Sequence, residues 1–168
     1  MPANPRISVI TVSYNSVDTI AETLISVAKQ EWPDVEHIVI DGGSTDGTLR
    51  VIDEVGQHVS RVISEPDDGI YSAMNKGVSV ATGEIVGFLN ADDYYANPRV
   101  LGLVARMMME GDLSAVVADA SFFRKEAPDK VVRRYHSDRF RPSRLVRSAR
   151  GFRSGGTFCD RLPHRRGL

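Results

Sequence analysis

The middle of the chain reads Ile85-Val86-Gly87-Phe88-Leu89-Asn90-Ala91-Asp92-Asp93. Its opening run carries no charge and predicts a fully buried strand, which then stops in polar residues. Two adjacent carboxylates at the end of a buried strand repel each other and are costly to desolvate. A Mg²⁺ ion together with substrate phosphates would relieve both costs. Because ligands of open α/β sheets bind beyond the carboxyl ends of the strands, the stretch predicts a metal–diphosphate site. The alternative is a polar turn in which Asp93 or Asn97 caps the next helix.

Strand and helix patterns alternate on both sides of this stretch. An uncharged, β-branched run predicts a strand at 7–12, and further runs predict strands at 36–40 and 60–64. Between them apolar residues recur at helical spacing, and we expect these to face inward: Ile20, Leu24, Val27 and Ala28; Leu49, Ile52 and Val55; Ile70, Met74, Val78 and Ala81. Ser16 is the expected cap of the first helix. Further on, the sequence predicts a helix at 100–109, a strand at 115–118, and a hairpin of 121–124 with 130–136 around a turn at 127–129. This order predicts an α/β fold, doubly wound, with a mostly parallel sheet flanked by helices.

Composition limits the class of protein. The 168 residues are 42% hydrophobic and 26% charged, which is typical of one soluble globular domain. The sequence holds no apolar run of the roughly 18 residues that a membrane span requires. The N-terminus lacks the layout of a signal peptide, so a cytoplasmic protein is the default expectation. Cys159 is the single cysteine, which excludes an internal disulfide and a cysteine-rich metal site.

Charge is divided unevenly along the chain. Residues 1–132 hold ten Lys and Arg against twenty Asp and Glu, a net charge of −10, whereas residues 133–168 hold eleven Arg against two Asp, a net charge of +9. Little apolar periodicity follows residue 139, which predicts a loop or disordered segment. We therefore expect a folded domain over 1–136 and a basic irregular tail over 137–168. The tail is either a basic arm for an anionic partner or a segment of different origin.

The main functional signal is a set of carboxylates that follow strands or open helices: Asp41, Asp46, Asp68, Asp92 and Asp93. Carboxylates accept hydrogen bonds from nucleobase N–H groups and ribose hydroxyls, and they bind metals. The glycines at 42 and 43 let a ligand approach the backbone and lead into a helix N-terminus, which suits an anion. The alternative is that Asp46 or Ser44 simply caps the helix and that Asp68 is only a cap. His37 precedes a buried strand and is interpreted as structural.

Four sequence blocks occur in a fixed order: Val9-Ile10-Thr11-Val12-Ser13-Tyr14-Asn15; Ile38-Val39-Ile40-Asp41-Gly42-Gly43-Ser44-Thr45-Asp46-Gly47-Thr48; Ser64-Glu65-Pro66-Asp67-Asp68-Gly69-Ile70-Tyr71-Ser72-Ala73-Met74-Asn75-Lys76-Gly77; and 81–93. Any one block alone would be a weak signal. Together, over residues 7–119, they resemble the family 2 glycosyltransferases of the GT-A fold, most closely those of bacterial polysaccharide and glycolipid assembly.

The resemblance implies a nucleoside-diphosphate sugar as donor, a UDP-sugar before others, and a saccharide or lipid-linked acceptor, with no nucleic acid partner. The domain over 1–136 would bind the nucleotide sugar. The implied binding residues are Thr11, Ser13, Tyr14, Asn15, Asp41, Asp68, Asn75, Lys76, Asn90 and Asp92.

Two of these positions have particular implied roles. Asp41 would meet the base. The segment 90–92 occupies the family's Asp-x-Asp position with Asn90 in place of the first Asp. Asp92, with Asp93 as its neighbour, would therefore contact the ribose–diphosphate and a Mg²⁺ or Mn²⁺ ion.

The family also implies a general base, which deprotonates the acceptor hydroxyl for inverting displacement at the sugar carbon. This base lies in the acceptor-binding half, and here the Arg/Ser/Gly-rich tail stands in that place. We expect the acceptor region to be truncated or frame-altered, with Asp119 as a weak candidate base and Asp138 and Asp160 as weaker ones. The alternative is a basic arm that holds the enzyme near anionic lipid at the inner face of the cell membrane.

Three functions compete at this stage. The first is a metal-dependent sugar transferase of cell-envelope polysaccharide synthesis. The second is a nucleotide-sugar-binding module with little or no transfer activity. The third is a dinucleotide-dependent oxidoreductase of similar strand–helix order, against which the absence of a Gly-x-Gly-x-x-Gly fingerprint counts.

Overall fold

Strands and helices alternate along the chain, as the sequence predicts. The computed structural model describes residues 4–111, 113–117, 120–124 and 127–135. Its elements are β1 (Ile7–Ser13), α1 (Ile20–Ala28), β2 (Val35–Asp41), α2 (Thr48–Val55), β3 (Arg61–Ser64), α3 (Ile70–Val80), β4 (Ile85–Asn90), α4 (Val100–Glu110), β5 (Ala120–Arg124) and β6 (Ala127–Tyr135).

The first four strands form one parallel sheet in the order β3-β2-β1-β4. Ile10 of β1 pairs with Ile38 of β2 on one side and with Phe88 of β4 on the other. The chain therefore builds outward from β1 through β2 to β3 and then returns to add β4 on the opposite side of β1. Such a reversal of strand order opens a crevice at the carboxyl ends of the strands, where α/β proteins bind ligands.

Helices cover both faces of this sheet, which confirms the doubly wound arrangement. On one face Val9 packs with Val27 of α1 and Leu101 of α4. On the other face Ile10 packs with Ala73 of α3. Because successive residues of a strand point to opposite faces, β1 is buried along its whole length.

Strand β4 is less buried than its sequence predicts. Val86, Gly87 and Phe88 are only half-buried, so the prediction of a fully buried strand is wrong. Within the part of the chain that the structure describes, β4 is the last strand of the sheet and pairs only with β1. Its second edge has no neighbouring strand there to cover it.

Smaller expectations also change. Leu49 is exposed, because α2 turns mainly Ile52 toward the core. Ser16 does not cap α1 through its side chain; its carbonyl accepts the N–H groups of Thr19 and Ile20 instead. Residues 115–117 form no strand.

The predicted hairpin is present as the antiparallel pair β5–β6. The residues at 127–129 belong to β6 and are not its turn. Asp119 and residues 136–168, and with them the predicted tail, Asp138 and Asp160, lie outside the described residues. Of the helices that the structure does describe, none is long and apolar enough to cross a membrane.

Candidate functional site

A cavity of about 930 Å³ opens at the carboxyl ends of the parallel strands. Its wall is formed by the ends of β1 and β4 with the residues that follow them, Gly42 after β2, and the loop before α3 with the first turn of α3. Its position coincides with the reversal of strand order between β1 and β4. The crevice predicted from the stretch at 85–93 is therefore present.

Five of the residues implied by the resemblance line this cavity: Ser13, Tyr14, Asn15, Asn90 and Asp92. Gly42, which was expected to let a ligand approach the backbone, also lines it. Sequence reasoning missed several others that share the wall: Ser16, Asp18, Thr19, Asp67 and Ile70. Most of these stand one to four positions from a predicted residue, because a loop folds its neighbours to the same side. They could have been predicted from their position beside the implied residues, in the segment after β1 and in the segment that leads into α3.

Five of the implied nucleotide-binding residues and one implied metal ligand do not line the cavity: Thr11, Asp41, Asp68, Asn75, Lys76 and Asp93. Thr11 is fully buried in β1. The ammonium of Lys76 forms an ion pair with Glu65 at 2.7 Å. Asp68 is exposed. The binding roles of these residues stay predictions.

Asp41 is fully buried, and its carboxylate organises the loop after β2. Oδ2 accepts the backbone N–H groups of Gly43 at 3.1 Å and Ser44 at 2.9 Å, and also the hydroxyl of Ser64 at 2.7 Å. Oδ1 accepts the hydroxyl of Ser44. A carboxylate offers about four acceptor sites, so these four bonds use its capacity. Contact between Asp41 and a base remains a prediction, and it would require the exchange of one of these bonds.

Ser44 and Asn15 join this loop to the end of β1. The backbone N–H of Asn15 donates to Oγ of Ser44 at 2.8 Å, and the N–H of Thr45 donates to Oδ1 of Asn15 at 2.9 Å. Asn15 has φ of +47°, which asparagine tolerates better than most residues. The two loops that form one wall of the cavity are thus fixed to each other.

Asp46 holds the start of α2, the role that the sequence offered as its alternative. Oδ1 accepts both the N–H and the hydroxyl of Thr48, at 3.0 and 2.6 Å, and Oδ2 accepts the N–H of Val17. The hydrogen bond from the side chain of Thr48 is the main reason why the pKa of Asp46 lies below its ordinary value.

Ser13 has an unusual environment on the cavity wall. It is buried, and its Oγ is the one buried side-chain oxygen or nitrogen without a hydrogen-bond partner in the described part of the chain. Buried hydroxyls are nearly always bonded, so an unpaired one at a cavity indicates a place for a polar ligand group.

The cavity wall is acidic. Asp18, Asp67 and Asp92 line it, and no Lys, Arg or His is among the described residues that do. Partial burial, with a smaller contribution from the carboxylate of Asp92, raises the pKa of Asp93. A cation at the end of β4 would reverse that rise.

The donor set at the end of β4 fits a divalent metal of the magnesium type. Asp92 and Asp93 supply carboxylates, and the amide of Asn90 lies 3.4 Å from Oδ2 of Asp93. The described residues contain no group of three or more His, Cys, Asp or Glu that could enclose an ion. Mg²⁺ and its relatives commonly bind through one or two carboxylates and complete their shell with substrate phosphates and water.

The start of α3 adds a favourable site for an anion. Gly69, with φ of +103°, precedes the helix, and no side chain caps it. Ile70, the first residue of α3, lines the cavity. The N–H groups of a first helical turn carry partial positive charge, which attracts phosphate.

Two buried side chains, Thr11 and His37, form a polar chain with the half-buried His58. Oγ1 of Thr11 is 2.9 Å from Nε2 of His37, and Nδ1 of His37 is 3.1 Å from Nε2 of His58. Burial, with a smaller contribution from His58, lowers the pKa of His37 to about 3. Burial also lowers the pKa of His58. His37 is therefore a neutral structural residue, as the sequence predicts.

The fold is the GT-A fold of glycosyltransferases, and solved structures confirm it. S. aureus TarS in complex with UDP-GlcNAc is 32% identical, with a TM-score of 0.59 over 65% of this chain and 32% of that chain. The mannosyltransferase PcManGT from Pyrobaculum calidifontis, in complex with GDP-Man and Mn²⁺, is 25% identical, with a TM-score of 0.60 over 76% of this chain and 38% of that chain.

The family is also established. The model of glycosyl transferase family 2 matches residues 8–167, and the chain belongs to this family. A PGL/p-HBAD biosynthesis glycosyltransferase of Mycobacterium bovis is 35% identical over 118 residues, which are 68% of this chain and 46% of that relative. The chain spans 39–46% of the length of the curated relatives that it matches first.

Proposed function

We propose that the protein transfers a sugar from a nucleoside diphosphate, a UDP-sugar before others, to a saccharide or lipid-linked acceptor. The reaction is metal-dependent and inverts the configuration at the sugar carbon. The observation that carries this proposal is the cavity at the carboxyl ends of the strands, in which Asp92 and the segment 13–15 share one wall. The nucleotide sugars bound to TarS and PcManGT support it.

The charge of the cavity supports the metal dependence. A nucleoside diphosphate is an anion, and the described wall presents three carboxylates and no cationic side chain. Without a counter-ion the two would repel each other. Asp92 and Asp93 would hold a Mg²⁺ or Mn²⁺ ion, whose charge would offset this repulsion and stabilise the departing diphosphate. The Mn²⁺ of PcManGT is consistent with this assignment.

The protein groups then bind and orient the donor. Asn15 and Ser44 fix the wall on which the nucleoside lies, and Tyr14, with 66% of its surface exposed, offers an aromatic face. The unpaired hydroxyl of Ser13 gains a partner when a polar ligand enters. The first turn of α3 is placed to meet phosphate oxygens.

Inversion requires a base that takes the proton of the acceptor hydroxyl as that oxygen attacks the sugar carbon. Asp119 remains the candidate named from the sequence, and it lies outside the described residues. The roles of Asp41, Asp68, Asn75 and Lys76 in donor binding also remain part of the proposal.

The acceptor and the location follow from the relatives and from the charge pattern. The name of the M. bovis relative refers to PGL/p-HBAD biosynthesis, which supports a glycolipid or polysaccharide acceptor of the cell envelope. We place the enzyme in the cytoplasm, with peripheral contact at the inner face of the membrane. The eleven Arg at 133–168 would attract anionic headgroups.

A calorimetric titration tests the proposal. The full chain is titrated with UDP, GDP and NAD, with Mn²⁺ and with EDTA. Mn²⁺-dependent binding of a nucleoside diphosphate supports a transferase, and metal-independent binding of NAD would instead indicate an oxidoreductase. Donor binding without sugar transfer to any saccharide or lipid acceptor would reduce the proposal to a nucleotide-sugar-binding module.

A further inference from the structure

Two neighbouring carboxylates precede α3, and they differ in position. Asp67 is half-buried and lines the cavity, whereas Asp68 is exposed and is not part of the lining. The family resemblance implies a nucleotide-binding role for Asp68 and none for Asp67. The structure separates them by orientation.

Asp67 is held in place by one of its oxygens. Oδ1 accepts the backbone N–H of Gly69 at 2.8 Å, a bond that closes the turn into α3. The other oxygen, Oδ2, has no partner among the residues that the structure describes. It lies 3.1 Å from the point that a Cβ at Gly42 would occupy, and the ring of Tyr14 lies 3.3 Å from the same point. Because Gly42 has no side chain, Oδ2 stands open beside an exposed aromatic surface.

The neighbouring candidate on this wall is already occupied. Asp41 is fully buried and uses both oxygens to bind Gly43, Ser44 and Ser64. Asp67 therefore supplies the available carboxylate oxygen at the ends of β2 and β3. Asp92 follows β4, on the other side of β1 in the sheet, so the two carboxylates serve different parts of a ligand.

We infer that Oδ2 of Asp67 accepts a hydrogen bond from the nucleoside of the donor and so contributes to its specificity. The donating group is either an N–H of the base or a ribose hydroxyl, which share the same chemistry at this wall. An ionised carboxylate accepts and never donates, so the contact favours nucleosides that present a donor here. The inference rests on the proposed function, whose binding site it refines.

Asp67→Asn tests the contact with little structural change. Asparagine keeps Oδ1, and with it the bond to Gly69, while the amide replaces the acceptor Oδ2 by a donor. The substitution also removes a negative charge, which alone would strengthen the binding of an anion. A loss of affinity therefore reports the lost acceptor. Asp53→Asn removes the same charge from an exposed position on α2, outside the cavity, and is the control.

The full chain and both variants are titrated with UDP and with GDP in the presence of Mn²⁺. We expect Asp67→Asn to weaken binding roughly tenfold, as for one hydrogen bond to a charged group, and Asp53→Asn to bind as tightly as the original chain. Equal affinity of the original chain and Asp67→Asn would overturn the inference and leave the proposed function intact. Failure of the original chain to bind either nucleotide would overturn both.

Two analogues identify the donating group. A base without donors, N3-methyl-UDP or N1-methylinosine diphosphate in place of GDP, removes the base contact, and a 2′,3′-dideoxynucleotide removes the ribose donors. The analogue for which the original chain and Asp67→Asn bind alike has lost the group that Asp67 contacts. If the difference persists for both analogues, the contact is not to the nucleoside and the inference is wrong.

Discussion

The hydroxyl of Ser64 donates a hydrogen bond to Oδ2 of Asp41 at 2.7 Å, and this bond links the ends of β3 and β2. The two residues are register partners in the parallel ladder. The carboxylate of Asp41 thus stabilises the loop after β2, for which the sequence alone indicates only its glycines. Its burial changes the effect expected of its substitution.

Asp41→Ala should destabilise the fold by about 3 kcal/mol, because the N–H groups of Gly43 and Ser44 and the hydroxyl of Ser64 lose their acceptor. Substitution of an exposed residue that only contacts a ligand would lower the free energy of unfolding far less. Urea unfolding measures the difference. Asp53→Ala, an exposed position on α2, is the control and should change little. A stable Asp41→Ala variant that has lost nucleotide affinity would show that the carboxylate serves the ligand and not the loop.

The buried side chain of His37, which contacts the half-buried His58, predicts that stability falls with acid. The pKa of His37 is about 3 when folded and near 6.5 when unfolded, so below pH 6.5 the unfolded chain binds the extra proton. The contribution of His37 to the free energy of unfolding is therefore complete above pH 6.5. It falls by about 1.4 kcal/mol per pH unit as the pH drops toward 3. His58 acts in the same direction.

Urea midpoints between pH 7 and pH 5 measure this dependence, in a range where most carboxylates stay ionised. The variant His37→Asn lacks the titrating group and should show a shallower slope, whatever its absolute stability. An identical slope in the variant would mean that His37 is not held neutral.

Asp92→Asn should lower the Mn²⁺-dependent affinity for UDP at least about tenfold, or roughly 1.4 kcal/mol. The physical reason is the loss of a carboxylate that lines the cavity and faces the proposed metal. Binding in EDTA should change little, or improve slightly as a negative charge is removed. Unchanged Mn²⁺-dependent affinity, with the fold intact by circular dichroism, would remove Asp92 from the metal site.

Gly77→Ala should destabilise the protein by about 1–3 kcal/mol through overpacking. A Cβ at this position would approach Cγ2 of Ile10 to 2.4 Å, and Ile10 is fully buried in β1. Gly102→Ala is the matched control on α4, where the nearest atom, Cε3 of Trp32, is 3.6 Å away. There the added methyl meets no clash, and the higher helix propensity of alanine should stabilise by up to about 1 kcal/mol. Equal effects of both substitutions on the urea midpoint would contradict the close packing of α3.

The sequence alone was sufficient for the order of elements and for the place of the cavity. Apolar runs and helical spacing are local signals, and the strand–helix repeat leaves few ways to bury both faces of β1. The end of β4 was identified because two carboxylates at a strand end need a partner. The expected burial of β4 failed, since it depends on what lies at the outer edge of the sheet.

Only the tertiary structure decided which polar side chains face the cavity. Asp41 is enclosed by Ser64, which is 23 residues away, and Lys76 is paired with Glu65 across the turn into α3. Asp67 and Asp68 are chemically alike and adjacent, yet one lines the cavity and the other faces solvent. Hydrogen-bond partners and burial depend on residues that folding brings together from separate elements. The local sequence therefore specifies a carboxylate's presence but not whether it supports the loop or remains open to a ligand.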